Sequence, residues 1–279
     1  MISEVELQEL LESKNLIAIG MKADEVRRRL HGASTTFIRV FEIHVAAPVA
    51  TLSPGTSAGE FRIVGKPASL DAALDAVRRA KAVKGTVPLT GFSLPDLAPL
   101  LGGLSLADTC RQLREAGLDG IADTPVDGLD DQGSILTARD AGLFVTRLTV
   151  HAAPDGDRGE LAARARALQV SVGGLRSFAP LPRMVSVASP TTGYDDVKQV
   201  ALARLIVDNI ESIQVDWQLY GPKLAQFALT VGADDIDSVA AVDPGTLGTR
   251  RSPVEEIRGN IRSAGLEPVE RTAQFEALR

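Results

Sequence analysis

Thr36-Phe37-Ile38-Arg39-Val40-Phe41-Glu42-Ile43-His44-Val45 is β-branched and aromatic, and it reads as a strand. From there the chain alternates. Candidate strands follow at 61–65, 86–91, 118–123, 143–151, 175–181 and 213–220, with a short last one near 238–242. Helix patterns lie between them at about 69–84, 105–116, 131–141, 157–171, 194–209 and 222–231. In the first of these, Ala72, Leu74, Val77 and Ala80 keep the i, i+3, i+4 apolar spacing. Strands separated by helices of 10–15 residues imply βαβ units and a parallel sheet. No glycine-rich dinucleotide turn is present, so the repeats favour a closed (β/α) barrel of the TIM type over an open sheet.

Upstream of the first strand, residues 3–12 and 22–31 read as helices. Downstream, 252–275 reads as a helix followed by a short strand at 267–272. The organisation expected is one α/β barrel domain over 1–279. A helical lead-in spans 1–32, the barrel 33–245, and a C-terminal α-β cap 246–279. The barrel is shortened, because the Pro/Ser/Gly-rich stretch 46–60 carries no helix pattern where the first crossover helix belongs.

Composition bounds the partners. The chain has 279 residues, 44% of them apolar, and a net charge of −6, which argues against a nucleic-acid footprint. No apolar run reaches the 18 residues of a membrane span. The acidic start Met1-Ile2-Ser3-Glu4 lacks the basic and apolar regions of a signal peptide, so a cytoplasmic location is expected. Cys110 is the only cysteine, which excludes an intrachain disulfide and any cluster or zinc site built from cysteines of one chain. Its helical position reads as a small buried hydrophobe. Arg27-Arg28-Arg29 reads as a solvated helix face, and His31 as a helix end.

Strand parity sorts the interior of a barrel from its exterior. Ile38, Val40, Glu42 and His44 share one face of the first strand. Arg62 and Val64 are assigned inward in the second. In 143–151, Val145, Arg147, Thr149 and His151 are assigned inward and Phe144, Leu148 and Val150 outward. In 213–220, Gln214, Asp216, Gln218 and Tyr220 are assigned inward. The interior expected is therefore polar, and two readings of it stand. One is a salt-bridged lumen with pairs such as Glu42–Arg62 or Arg147–Asp216. The other is a pocket at the C-terminal strand ends, where barrel active sites sit. In that pocket Arg62, Arg147, Gln214, Asp216 and Gln218 would bind a ligand, the arginines gripping a carboxylate or phosphate. Glu42, His44 or His151 would move protons.

The last third carries a further signal. Leu202-Ala203-Arg204-Leu205-Ile206-Val207-Asp208-Asn209 is followed by Ile213-Gln214-Val215-Asp216-Trp217. Gly221-Pro222-Lys223-Leu224-Ala225-Gln226 and Gly232-Ala233-Asp234-Asp235 come next, then Glu255-Glu256-Ile257-Arg258 and Ala264-Gly265-Leu266-Glu267-Pro268-Val269-Glu270-Arg271. This series resembles the radical SAM enzymes of the futalosine route to menaquinone, aminofutalosine synthase and cyclic dehypoxanthinyl futalosine synthase. It also resembles a related deazaflavin-precursor synthase. Weaker echoes occur at Phe61-Arg62-Ile63-Val64-Gly65 and Phe178-Ala179-Pro180-Leu181. The resemblance implies a SAM-binding barrel with a C-x-x-x-C-x-x-C loop after the first strand, whose thiolates hold a [4Fe–4S] cluster.

Here that loop is Val45-Ala46-Ala47-Pro48-Val49-Ala50-Thr51-Leu52-Ser53, without a cysteine. The family's glycine pair after the second strand is Gly65-Lys66-Pro67, and its glycine-rich stretch after the fourth strand is Ala122-Asp123-Thr124-Pro125. No cluster ligand carries over, so no iron–sulfur cofactor and no metal are expected, and SAM binding is left doubtful. Two functions follow. The first is a pseudoenzyme that binds a nucleoside-like or carboxylate intermediate, or that serves an active paralogous protein. The second is a cluster-free enzyme working by acid–base chemistry in the retained pocket.

Overall fold

The computed structural model describes residues 4–48, 57–100, 102–129, 132–152, 158–184, 191–242 and 253–278. Eight parallel strands form a nearly closed barrel: β1 (Ser34–His44), β2 (Glu60–Val64), β3 (Leu89–Ser93), β4 (Gly120–Asp123), β5 (Arg147–Val150), β6 (Ser177–Pro182), β7 (Ser212–Asp216) and β8 (Asp235–Ala240). Hydrogen-bonded neighbours run β4-β3-β2-β1-β8-β7-β6-β5. Between β4 and β5 the seam is thin. It is made by Phe144 N to Asp119 O at 3.0 Å, Ile121 N to Phe144 O at 3.0 Å, Thr149 N to Thr124 O at 3.0 Å and Val126 N to Thr149 O at 2.9 Å. The barrel class expected from the alternation is the one observed.

The helices lie outside, and sequence chemistry sets their ends. In α3 (Leu70–Lys81), Ser69 accepts from Ala72 N, and Ala73, Leu74, Val77 and Ala80 turn inward. In α4 (Leu106–Ala116), Ser105 and Asp108 form a reciprocal capping box, repeated by Thr192 and Asp195 at α7 (Gly193–Ile206). Of the lead-in helices, α1 spans Glu4–Glu12 and α2 spans Leu16–His31. The second begins six residues earlier than its acid-to-base pattern suggests, because Asn15 caps it by accepting from Ala18 N.

One of its residues overturns an expectation. Arg27 is fully buried rather than solvated, with Nε on Asp24 at 2.9 Å, whereas Arg28 remains exposed. Helix spacing alone did not place it, because the surface it packs on is α7, distant in sequence.

Two further departures concern strands. Trp217 to Tyr220 do not extend β7; they open α8 (Trp217–Ala228). Gln218 is therefore exposed on a helix and Tyr220 does not enter the lumen; its hydroxyl donates to Pro182 O at 2.5 Å. The physical reason is Asp216, whose carboxylate accepts from the backbone N–H groups of Gln218 at 2.9 Å and Leu219 at 3.0 Å and so starts the helix. In the 143–151 stretch the chain leaves strand geometry at Val145 and Thr146. The break reverses parity, so Phe144 packs inward against Ile38, Val40 and Ala273. Gly120 makes this possible: a Cβ there would lie 2.3 Å from the Phe144 ring.

The tail closes the floor. After α9 (Pro253–Ser263), β9 (Glu267–Glu270) pairs in parallel with the first half of β1, on the edge whose second half pairs with β2. Residues 49–56, most of the atypical 46–60 connection, lie outside the described residues.

Candidate functional site

The interior is a stack of ion pairs. Glu60 and Arg62 are two apart on β2 and share its inward face, as do Asp235 and Asp237 on β8. Arg62 makes two hydrogen bonds of 2.8 Å to Glu60. It reaches Asp237 at 2.8 and 3.1 Å and Ser238 Oγ at 3.0 Å. Arg147 donates to Asp237 and to Ala122 O, the latter from Nε at 2.9 Å. Thr90 donates to Glu60. All five donors of Arg62 therefore have work inside the protein, in the two-pronged geometry that suits guanidinium and carboxylate.

Asp237 is completely buried. Burial would push its carboxyl up, but Arg147, then Arg62 and Arg183, outweigh that and hold it well below the usual carboxylate range. Glu60 behaves alike: burial opposes ionisation, Arg62 wins, and the net direction is down. Ser238, at the same level, has φ 58, a left-handed conformation that a serine adopts only where its surroundings hold it. Its hydroxyl bridges Arg62 and Asp216, donating to the latter at 2.8 Å.

Below this layer, Asp235 receives Arg271 Nε and Nη2 at 2.6 Å each, Gln214 Nε2 at 2.6 Å and the Thr36 hydroxyl at 2.5 Å. Above it, Arg183 stands just past the end of β6, 3.0 Å from Asp123, 3.1 Å from Asp216 and 3.7 Å from Asp237. It separates the lumen from a cleft of about 370 Å³ at the C-terminal strand ends. Phe92, Pro95, Pro125 and Met184 supply apolar wall, and Asp123, Thr149, His151 and Arg183 supply polar wall. Phe92 also has a left-handed φ of 63.

Arg62 and Arg147 thus face the lumen as expected, but their partners are Glu60 and Asp237 rather than Glu42 and Asp216. Gln214 and Asp216 are also inside, turned to Asp235 and Arg183 respectively. Glu42 stands at the mouth, exposed, without a hydrogen bond or ion pair among the described residues. Desolvation by the groups around it at the mouth raises its pKa, Arg62 and Arg183 lower it, and Asp216 and Asp237 raise it, for a net upward shift. His44 is exposed and occupied locally: its Nδ1 accepts from Ala46 N at 3.2 Å. Its Nε2 lies over Gly65, where a Cβ would come within 2.8 Å. His151 is exposed in the cleft wall.

Parity missed six lumen or mouth charges: Glu60, Asp123, Arg183, Asp235, Asp237 and Arg271. Glu60 could have been found from its i, i+2 relation to Arg62, and the pair Asp235/Asp237 from their spacing around Ile236. No local signal marks Arg183 or Arg271, which lie beyond strand ends.

The residues present do not fit a [4Fe–4S] cluster. Such a cluster needs several thiolates, and the chain has one. Cys110 lies in α4, fully buried in the core, and burial pushes its thiol up to about 11. Near neutral pH that is about a hundredfold less thiolate than an ordinary cysteine carries. Maleimide should accordingly leave Cys110 unmodified in the native protein and label it fully in urea. Rapid stoichiometric labelling without denaturant would show the site to be open.

Residues 177–279 match the family model of the CofH/MqnC C-terminal region. The aminodeoxyfutalosine synthase of Streptomyces coelicolor is 28% identical over 244 residues, covering 73% of this chain and 63% of that protein. A 5-amino-6-(D-ribitylamino)uracil–L-tyrosine 4-hydroxyphenyl transferase of Methanosarcina acetivorans is 28% identical over 214 residues, covering 64% and 56%. Each match spans less than two thirds of the relative's own length. Among solved structures, methylornithine synthase (PylB) superposes with a TM-score of 0.63 at 14% identity, over 96% of this chain and 94% of that one. The hydrogenase maturase HydG gives 0.65 at 13%, over 97% and 72%. These likenesses are of fold. The sequence matches support the resemblance to the futalosine-pathway enzymes and to the 4-hydroxyphenyl transferases.

Proposed function

We propose that this chain is a cluster-less relative of the futalosine-pathway radical SAM enzymes, and that it binds a small pathway-type ligand at the barrel mouth without radical chemistry. One observation carries the reading: the only thiol in the chain is sealed in a helix, while the mouth cleft is kept. The cleft's volume lies within the range of small-molecule sites, and its apolar walls with a few polar groups are the usual lining. Electron delivery to SAM needs the cluster, and the protein's own side chains do not replace it.

The test has two arms. After anaerobic incubation with iron and sulfide, absorbance and iron analysis should find no stoichiometric [4Fe–4S] cluster; a full cluster would overturn the reading. Futalosine-type nucleosides should then raise the melting temperature and remain chemically unchanged over hours. The absence of any shift would remove the small-ligand role and leave a protein partner.

The second reading, acid–base catalysis without a cluster, is favoured by Glu42, whose carboxyl is unpaired among the described residues and shifted upward. It predicts turnover, with a loss of about 10²–10⁴ in rate for E42Q or H151A. Conversion of a bound nucleoside that disappears in either variant would replace the binder with the enzyme.

A further inference from the structure

The mouth has more acid than base. At the level of the cleft floor three guanidinium groups, Arg62, Arg147 and Arg183, meet four carboxylates, Glu60, Asp123, Asp216 and Asp237. Glu42 adds a fifth at the rim. Asp237 is shared by all three arginines, so none of them has charge to spare for an incoming anion. Two acids stand in the cleft wall: Asp96 is paired with Lys66 at 2.6 Å, whereas Asp123 has Arg183, which is divided among three acids. Although Asp123 Oδ1 is 3.0 Å from Arg183 Nε, neither atom completes a directed hydrogen bond there.

An independent feature lies on the adjacent strand. Thr149 is 1% exposed, lines the same cleft, and its Oγ1 has no hydrogen-bond partner. A buried hydroxyl left unpaired is costly, and a ligand donor would satisfy it. Facing this polar corner are the Phe92 ring, Pro95, Pro125 and Met184.

We infer that the cleft takes a flat organic cation, an amidine or amine on an aromatic or heteroaromatic body, with its N–H groups on Asp123 and Thr149 and its ring against the apolar wall. This deepens the ligand-binding reading and rests on the mouth cleft being the site. It also replaces the expected carboxylate: Arg183 Nε and Nη2 lack a directed hydrogen bond, but an anion placed on them would stand beside Asp123, Asp216 and Asp237 and would enlarge the acid excess.

Benzamidine and benzoate have nearly the same shape and opposite charge, and both can be titrated into the full chain by protein NMR. Benzamidine should bind saturably with a dissociation constant on the order of millimolar, given its few heavy atoms. Benzoate should bind at least about tenfold more weakly, the effect of one favourable charge contact. D123N should lower benzamidine affinity by about tenfold or more and strengthen benzoate, because Arg183 is then partly released. Arg183 keeps Asp216 and Asp237 in that variant, so the fold should persist. T149V, which alters no charge, should weaken benzamidine by only a few-fold.

Benzoate binding as tightly as benzamidine, unchanged benzamidine affinity in D123N, or binding of neither compound would each overturn the inference. A nucleoside melting shift with no preference for cations would leave the binder standing and remove this refinement. Benzamidine bound at Asp123 with no nucleoside shift would do the reverse.

Discussion

Replacing Asp237 with alanine should cost about 3–5 kcal/mol, the usual penalty for leaving a buried ion pair without one partner. Here one carboxylate serves three guanidinium groups. Arg62 binds both of its oxygens, Arg147 binds one, and Arg183 stands 3.7 Å away. Glu60 can still neutralise Arg62, and Asp216 and Asp123 can still hold Arg183. Arg147 is then left with a carbonyl oxygen alone. A typical domain is stable by about 5–15 kcal/mol, so much of the margin would go. Urea unfolding should show the midpoint falling by a large fraction, and D237N should fall less, since an amide still accepts hydrogen bonds. A wild-type midpoint in D237A would mean that water, not Asp237, solvates the arginines.

The same carboxylate sets an acid limit. Its folded pKa is depressed below the unfolded value of about 3.9. The stability it contributes is therefore fully present above that value and is lost as pH falls through the folded pKa. Glu60 shifts in the same direction and adds to the loss. Unfolding followed from pH 6 downward should stay flat until about pH 4 and then steepen. In D237N the steep acid phase should be reduced, because the group that titrates is gone.

Replacing Arg271 with alanine should have the next largest effect, about 3 kcal/mol, and a different symptom. Among the described residues Arg271 is the guanidinium bound to Asp235, which is completely buried. Gln214 and Thr36 would still donate to that carboxylate, which keeps the penalty below the Asp237 case. Arg271 also ties the tail in place: its backbone N–H donates to Phe37 O at 2.9 Å, and its guanidinium lies 3.8 Å from the Phe275 ring centroid. The variant should therefore expose residues 267–278 before the barrel unfolds. Hydrogen exchange and limited proteolysis would report protection lost in that segment ahead of β1. Making both partners apolar in the double change R271M/D235L should recover stability relative to R271A alone. Equal protection of the tail in R271A and wild type would show that backbone pairing to β1 suffices.

What the amino-acid sequence determines by itself is the barrel and the faces of its regular strands. β1 and β2 follow parity because a strand inside a closed parallel barrel must turn alternate residues to the helices and to the lumen. Arg62 and Arg147 were legible as interior for that reason, and one cysteine falls short of the several thiolates that a [4Fe–4S] cluster takes from a chain. Tertiary structure alone decided the rest. Asp216 reads as one more strand residue until its carboxylate is seen capping α8, which carries Gln218 to the surface. Phe144 faces inward because Gly120, on a neighbouring strand, leaves room for its ring. Arg183 and Arg271 reach the lumen from outside the regular strands, so no period in the sequence marks them. The pairing itself was also beyond local reading: a buried guanidinium takes whichever carboxylates the closed barrel brings to its level, and those are Glu60 and Asp237, the latter 175 residues away from Arg62.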